Sequence, residues 1–515
     1  MSVTSTVPQP KHRQMYSVKK LIRGSGSRVL RMFILASIGF FLMPFMVHRL
    51  GSEQYGIWAT AIAFLGYYSF LDLGLSGAIF THMSYALGRE DHEEARNIYS
   101  VSALIFSGVG IVLILASLIL AFAVVRLHYT HGRELANIIL ILGISTATSF
   151  GMRVPFGTLN AGQHFDITAW VLVMTGLIRA SGTVYLLTHH HGIIGLAWLA
   201  VFGGVPANAI VLWSVNRYFP FLKIFRFPRW NQQTFRKLYR FAGPVMLGQV
   251  ADRIRFQTDT LTVSFFIGLM TVTHYTVGST LVMYYLDAIA AIVGVFMPVL
   301  SMQKSVDDNE AFERSFLAGS RVALCASAFI CFGLIVWSRD FITRWMGAQF
   351  TDVYPVVVVL AIAVFLETSQ STSVNALYAS LHQKAYAVLN ISEAICNLIL
   401  SLLLVRPFGM LGVALGTLIP SIFFRGILQP IVVERILHIS KRKTLGLYAK
   451  TGSRCAMLLV LPLIITHYWL APDILHLVLV PGICGLLYII PIWLLEFEGK
   501  GSDRIVAKLR GLRAA

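Results

Sequence analysis

Apolar runs of about 20 residues recur from one end of this chain to the other, and each is long enough to cross a hydrocarbon core as a helix. No other feature restricts the fold so strongly. Inside a bilayer no water satisfies backbone N–H and C=O groups, so only helices or closed barrels span it. By their length these runs are read as helices. Of the 515 residues 56% are hydrophobic and 13% charged, too few polar groups to cover a water-soluble core of that size. The expected class is all-α: a polytopic membrane protein of about 14 transmembrane helices. The runs lie near 28–48, 55–82, 98–126, 134–160, 168–187, 193–217, 240–268, 272–300, 316–339, 352–381, 384–405, 411–437, 452–471 and 474–496. The first lacks the short apolar stretch and cleavage site of a signal peptide and is expected to remain as a span. Trp337 and Trp345 flank a loop and are expected to anchor at the interface.

The net charge of +18 is explained by topology. With the N-terminus inside, 29 of the 42 lysines and arginines fall in cytoplasmic segments, six in external loops and seven within spans. That asymmetry places both termini in the cytoplasm. The basic loops are expected to touch anionic lipid, and no nucleic-acid partner is expected. The five cysteines lie in or beside apolar runs without metal-ligand spacing, so neither a metal site nor disulfides are expected.

The chain also repeats itself. LNAGQH at 159–164 parallels LYASLH at 377–382, GIIGLA at 192–197 parallels GMLGVA at 409–414, Leu50-Gly51 parallels Ile267-Gly268, and Phe70-Leu71-Asp72 parallels Tyr285-Leu286-Asp287. Six spans fit within one period, so the second copy enters the membrane in the same direction as the first. Two parallel six-helix lobes around a central cavity are expected, a transporter's arrangement. The expected organisation is a basic N-terminus (1–27), an N-lobe (28–217), a basic linker (218–239), a C-lobe (240–437), a basic loop (438–451), two extra helices (452–496) and a cytoplasmic tail (497–515).

Charges inside the spans are the candidate functional residues. An arginine facing lipid near the bilayer centre costs about 2.5–3.5 kcal/mol, so Arg31, Arg153, Arg179, Arg253, Arg255, Arg321 and Arg425 must snorkel, pair or face water. In the seventh span Asp252, Arg255 and Asp259 fall at i, i+3 and i+7, on one helical face. The embedded acids are Asp72, Asp252, Asp259, Asp287, Glu367 and Glu393. Asp72 and Asp287 occupy matched repeat positions and are expected to point between helices. Structural pairing and ion coupling both remain open for them.

The stretch 49–88 resembles the N-terminal signature of the Wzx-type polysaccharide flippases of the multidrug/oligosaccharidyl-lipid/polysaccharide exporter superfamily. The resemblance is carried by Leu50-Gly51, Glu53, Tyr55-Gly56 and Leu71-Asp72-Leu73-Gly74-Leu75, and in the second half by Asp259 with Phe266-Ile267-Gly268. GIIGLAW and GMLGVAL are similar to the family's entries into spans six and twelve. The resemblance implies a flippase of the bacterial inner membrane. Its cargo would be undecaprenyl-diphosphate-linked oligosaccharide repeat units for surface or exopolysaccharide, moved by alternating access. It needs no bound cofactor, and a proton or sodium gradient or the membrane potential would drive it. A polysaccharide polymerase and chain-length proteins are the expected partners. Arg31, Arg153, Arg255 and Arg425 are candidate counter-charges for the diphosphate, chosen by burial logic. The two helices beyond the repeats resemble those of the fourteen-span lipid II flippase branch, where they help form a groove for the lipid tail.

Two other classes compete. A glycan polymerase or ligase would need converging acid and base groups, normally on a large external loop, and the longest external loop here is about 15 residues. A cation-coupled drug antiporter would depend on the acids and be opposed by an arginine-rich lumen. His189 to His191 read as a solvated turn, and the glycines near residue 24 lack the Lys-Ser/Thr ending of a phosphate loop.

Overall fold

The computed structural model describes residues 18–72, 74–127, 129, 131–222, 229–469 and 474–497. Side chains are described within 34–496, apart from 241–256, 441 and 467–478 and the gaps just implied. Among the described residues there is no strand.

In the first half, α1 (Val18–Leu50) meets α2 (Ser52–Gly66) at Gly51, and a 3-10 turn (Tyr67–Asp72) leads into α3 (Leu75–Gly88). There follow α4 (His92–Arg126), α5 (Gly132–Ala161), α6 (Phe165–Thr188), and α7 (Gly192–Phe202) with α8 (Val205–Tyr218). The second half runs through α9 (Gln232–Phe266), α10 (Leu269–Val293) with α11 (Phe296–Ser305), and α12 (Asn309–Trp345). It continues with α13 (Tyr354–Thr368), α14 (Ser371–Ala379), α15 (Gln383–Ser421), a π-helical segment (Ile422–Leu428) and α16 (Gln429–Leu437). The last two helices are α17 (Lys441–Trp469) and α18 (Ile474–Phe497).

Ten described helical runs are long and apolar enough to cross a membrane, and the bent α2–α3 pair makes an eleventh. One of the ten, Gln383–Leu437, contains non-helical Gly409 and folds back there, since Ser401 meets Val413 and Asn397 meets Thr417. It therefore holds two of the runs read from the sequence. With α1 and α9, which carry more polar residues, every expected apolar run corresponds to a helical segment.

The duplication is written in the backbone. Left-handed or otherwise positive φ angles at Gly51, Glu90, His131, Gln163 and Gly192 recur at Gly268, Asp307, Gly347, Leu381 and Gly409. These are the turns between helices, where the chain must reverse within one or two residues. Asp91 caps α4 by accepting from the Glu94 N–H, and Asp308 caps α12 by accepting from Ala311. Gly74 (φ 72) breaks the pattern: it has no counterpart among the positive angles of the second half, where α10 continues unbroken through the matched position.

The halves close on each other at the end that carries the Gly51 and Gly268 turns. A Cβ at Gly56 would lie 2.0 Å from the Leu269 carbonyl oxygen, so α2 and α10 approach at backbone distance there. Thr60 and Ser264 hydroxyls are 2.9 Å apart, Tyr129 also bonds to Ser264, and Tyr67 meets Thr258 at 2.6 Å. The tryptophan expectation changes here. Trp337 is buried and donates to Thr466 of α17 at 3.0 Å, while Trp345 stacks on Phe40 and donates to its carbonyl. Both indoles are used for helix packing, because α12 continues as helix to Trp345 and leaves no long loop to flank.

Helices α17 and α18 dock on α12. Tyr488 donates to the Cys325 carbonyl, Cys455 lies against Cys325, and Glu496 accepts from Arg454 at 2.7 Å with Arg321 nearby at 3.7 Å. All five cysteines are free thiols.

Candidate substrate cavity

Between the halves, beyond the closed end, lies a cavity of about 720 Å³. Ligand sites of about 300–1,000 Å³ are usual for small molecules or parts of larger ones. One wall comes from the 3-10 turn and α5, the other from α10, α13, α14 and the start of α15.

The first wall is an ion pair. Arg153 reaches from α5 to Asp72 at 2.8 Å, with the side chains 30% and 12% exposed. The Ser76 hydroxyl donates to the same carboxylate at 2.7 Å, and the guanidinium lies 3.8 Å from the Phe150 ring centroid. The local sequence explains the presentation. Gly74 allows a left-handed turn that a Cβ would strain, the helix ends there, and α3 restarts with Ser76 one turn from Asp72. Arg153 and Phe150 are at i and i+3 on α5, so the cation rests over the ring on its own helix.

The second wall differs. Met283, Asp287, Ala290 and Gly294 line it from α10 and its continuation, at helical spacing on one face. Asp287 is exposed to the cavity and makes no side-chain hydrogen bond or ion pair among the described residues. Glu367, Ser371, Asn375 and Tyr386 complete that wall. Arg153 is the single cation among the described lining residues, against Asp72, Asp287 and Glu367.

Arg425 is the clearest departure from expectation. It does not line the cavity: its side chain and that of Glu393 are each 1% exposed, and they pair at 2.6 Å. Asn390 accepts from the same guanidinium at 2.7 Å and Gln429 at 3.0 Å, and Tyr386 lies beneath it at 5.2 Å. Gln370 donates to the Arg425 carbonyl, which sits in the π-helical segment, where the backbone ladder is rearranged. The charge is taken up by an intraprotein network, so the expected role of cavity counter-charge is replaced by a structural one.

Asp259 belongs to the same interhelical layer. It is buried and accepts from Tyr275 of α10 and from Thr417, each at 3.0 Å. Thr417 also accepts from Asn397 at 2.8 Å, and Ser421 donates to Glu393 at 3.0 Å. Asn390, Glu393, Asn397 and Ser401 form one polar stripe, and Thr417, Ser421, Arg425 and Gln429 the facing one. Sequence reading picked out Glu393 and Arg425 but missed their neighbours. The signal was there: polar residues at i, i+3, i+7 and i+11 facing others at i, i+4, i+8 and i+12. The side chains of Arg31, Asp252 and Arg255 lie outside the described residues, so the shared face expected for Asp252, Arg255 and Asp259 is described only at Asp259.

A repeated helical bundle with a polar cavity between its halves is an arrangement that membrane transporters use. The match to the polysaccharide biosynthesis protein model over residues 21–304 makes the assignment specific: the chain belongs to that family. It is 23% identical over 414 residues to the uncharacterized membrane protein EpsK of Bacillus subtilis, covering 78% of this chain and 80% of that protein. It is 22% identical over 362 residues to the succinoglycan biosynthesis transport protein ExoT of Rhizobium meliloti, covering 69% and 68%. Among solved structures, the lipid II flippase MurJ in an inward closed conformation superposes with a TM-score of 0.72 at 17% identity. That match covers 90% of this chain and 97% of the other. At that identity the likeness is one of fold.

Proposed function

We propose that this protein is a flippase that moves undecaprenyl-diphosphate-linked oligosaccharides from the cytoplasmic to the outer leaflet of a bacterial inner membrane. The observation that carries the reading is the Arg153–Asp72 pair presented to the cavity, in a chain whose relatives include a succinoglycan transport protein. A diphosphate and its sugars cannot enter hydrocarbon unaided. Arg153 provides a guanidinium suited to phosphate oxygens, and the prenyl chain stays in lipid. Residues 28–217 and 240–437 act as two lobes joined by 218–239, with 452–496 as an accessory pair and both termini cytoplasmic. Transport then proceeds by rocking of the lobes around the cavity, the closed end with the Gly51 and Gly268 turns being the external one. Asp259, placed between α9, α10 and Thr417, is the residue we assign to coupling with a proton or sodium gradient or the membrane potential. A polymerase and chain-length proteins would receive the product.

A deletion strain tests this. Lipid-linked repeat units should accumulate on the inner leaflet, and the wild-type chain should clear them. A second reading, cation-coupled antiport of small cationic molecules, is favoured by the three acids in the described lining. It predicts raised drug sensitivity in the deletion strain with no trapped lipid-linked glycan.

A further inference from the structure

The two walls of the cavity are unlike, although the halves that supply them are repeats. At the offset that aligns 159–164 with 377–382, Arg153 corresponds to Ser371, and both residues line the cavity. The second half thus keeps the aspartate of the matched pair, as Asp287, and has a hydroxyl where the first half has the cation. Asp287 meets no described side-chain partner, whereas Asp72 is held by Arg153 and Ser76. Beside Asp287 on the same face, one and two turns on, stand Ala290 and Gly294, which leave space against the carboxylate. Ser371 and Asn375, at i and i+4 on α14, face the same space; the Ser371 hydroxyl donates to the Thr368 carbonyl and the Asn375 amide to that of Val293, which leaves the hydroxyl oxygen, the amide oxygen and one amide N–H toward the cavity.

We propose that this second wall receives the saccharide while Arg153 takes the diphosphate, and that Asp287 restricts the cargo to uncharged sugars. The proposal rests on the flippase reading and adds the chemical class of the glycan. The physical reason is local. A carboxylate accepts hydrogen bonds from hydroxyls, and its two oxygens match the paired donors of a vicinal diol. Small neighbours give a pyranose ring room to approach, and the serine and amide complete a surface that both donates and accepts. A sugar carrying its own carboxylate meets like charge at close range in a partly desolvated cavity, where repulsion is stronger than in water. The sugar nearest the diphosphate is therefore selected by charge.

The test uses the full chain in proteoliposomes with two synthetic probes: a prenyl-diphosphate-linked lactose, and the same lipid with glucuronic acid in place of glucose, the sugar bonded to the diphosphate. Exposure of the sugar to an impermeant diol-oxidising reagent reports transfer between leaflets. The wild type should move the neutral probe at least about tenfold faster than the acidic one. Asp287→Asn should bring the ratio towards one by raising the acidic rate, a gain that misfolding cannot produce. Glu367→Gln should add to the effect. Equal rates for both probes in the wild type, or a ratio unchanged by Asp287→Asn, overturn the proposal and leave the flippase reading standing. Failure of the wild type to move either probe overturns that reading, and this one with it.

Discussion

Two arginine–carboxylate pairs among the described residues, one in each half of the molecule, are placed in opposite environments. Arg153 and Asp72 face the cavity, with the arginine 30% exposed. Arg425 and Glu393 are sealed between the two arms of the Gly409 hairpin at 1% each. The first pair has two satisfied contacts to the carboxylate and open space on one side. The second is enclosed by Asn390, Gln429 and the face of Tyr386. The difference teaches two of the ways in which an arginine within an apolar run avoids lipid, a wet cavity and a dry network. Only the first leaves the guanidinium accessible to cargo.

The largest effect should come from breaking the dry pair. Glu393→Ala leaves a buried guanidinium without its counter-charge, and losses of about 3–5 kcal/mol are typical of such cuts. Thermal unfolding of the detergent-solubilised protein should show a strongly lowered midpoint, and adding Arg425→Leu to Glu393→Ala should recover much of it. A single variant as stable as wild type would show the pair to be open to water after all.

The wet pair should respond in the other currency. Arg153→Ala removes a cavity-facing contact and leaves Asp72 with the Ser76 hydroxyl, so it is expected to cost less stability than Glu393→Ala, yet to abolish most transport of a diphosphate-linked lipid. Arg153→Lys keeps the charge without the planar fork and should fall between. Measuring flux and unfolding on the same preparations separates the two effects, and a variant that unfolds early with normal flux would reverse the contrast.

The smallest effect concerns the backbone that presents the first pair. Gly74→Ala places a Cβ at a φ of 72°, a strain of about 1–2 kcal/mol. The expected outcome is a modest drop in unfolding midpoint with a larger fractional drop in flux, because the turn sets where Asp72 and Ser76 stand. Asp287, on unbroken α10, has no such hinge, so Ala290→Gly should leave stability within about 1 kcal/mol of wild type.

Much of this molecule was legible before any coordinates. The apolar runs located the helical segments, because a bilayer permits so few backbone solutions. The repeat was visible in short motifs, and the positive φ angles at Gly51 and Gly268, Glu90 and Asp307, Gln163 and Leu381 recur with it. The candidate site was legible in part. Asp72, Arg153, Asp287 and Glu367 do meet around one cavity. Arg425 was assigned to that cavity by the same burial logic and lies elsewhere. The facing stripes 390/393/397/401 and 417/421/425/429 went unread, since uncharged Asn, Thr, Ser and Gln raise little alarm in an apolar run.

By itself the sequence determined that the chain is a polytopic helical protein, that its basic residues cluster in alternate loops, and that it was built by duplication. Those properties follow from local composition and from chain length against bilayer thickness. Only the tertiary structure decided which arginine is wet and which is dry. Helical periodicity tells which residues share a face, but what lies opposite that face is supplied by a segment distant in sequence. For Arg153 it is Asp72 and open space, and for Arg425 it is Glu393, Asn390 and a closed wall of packed helix.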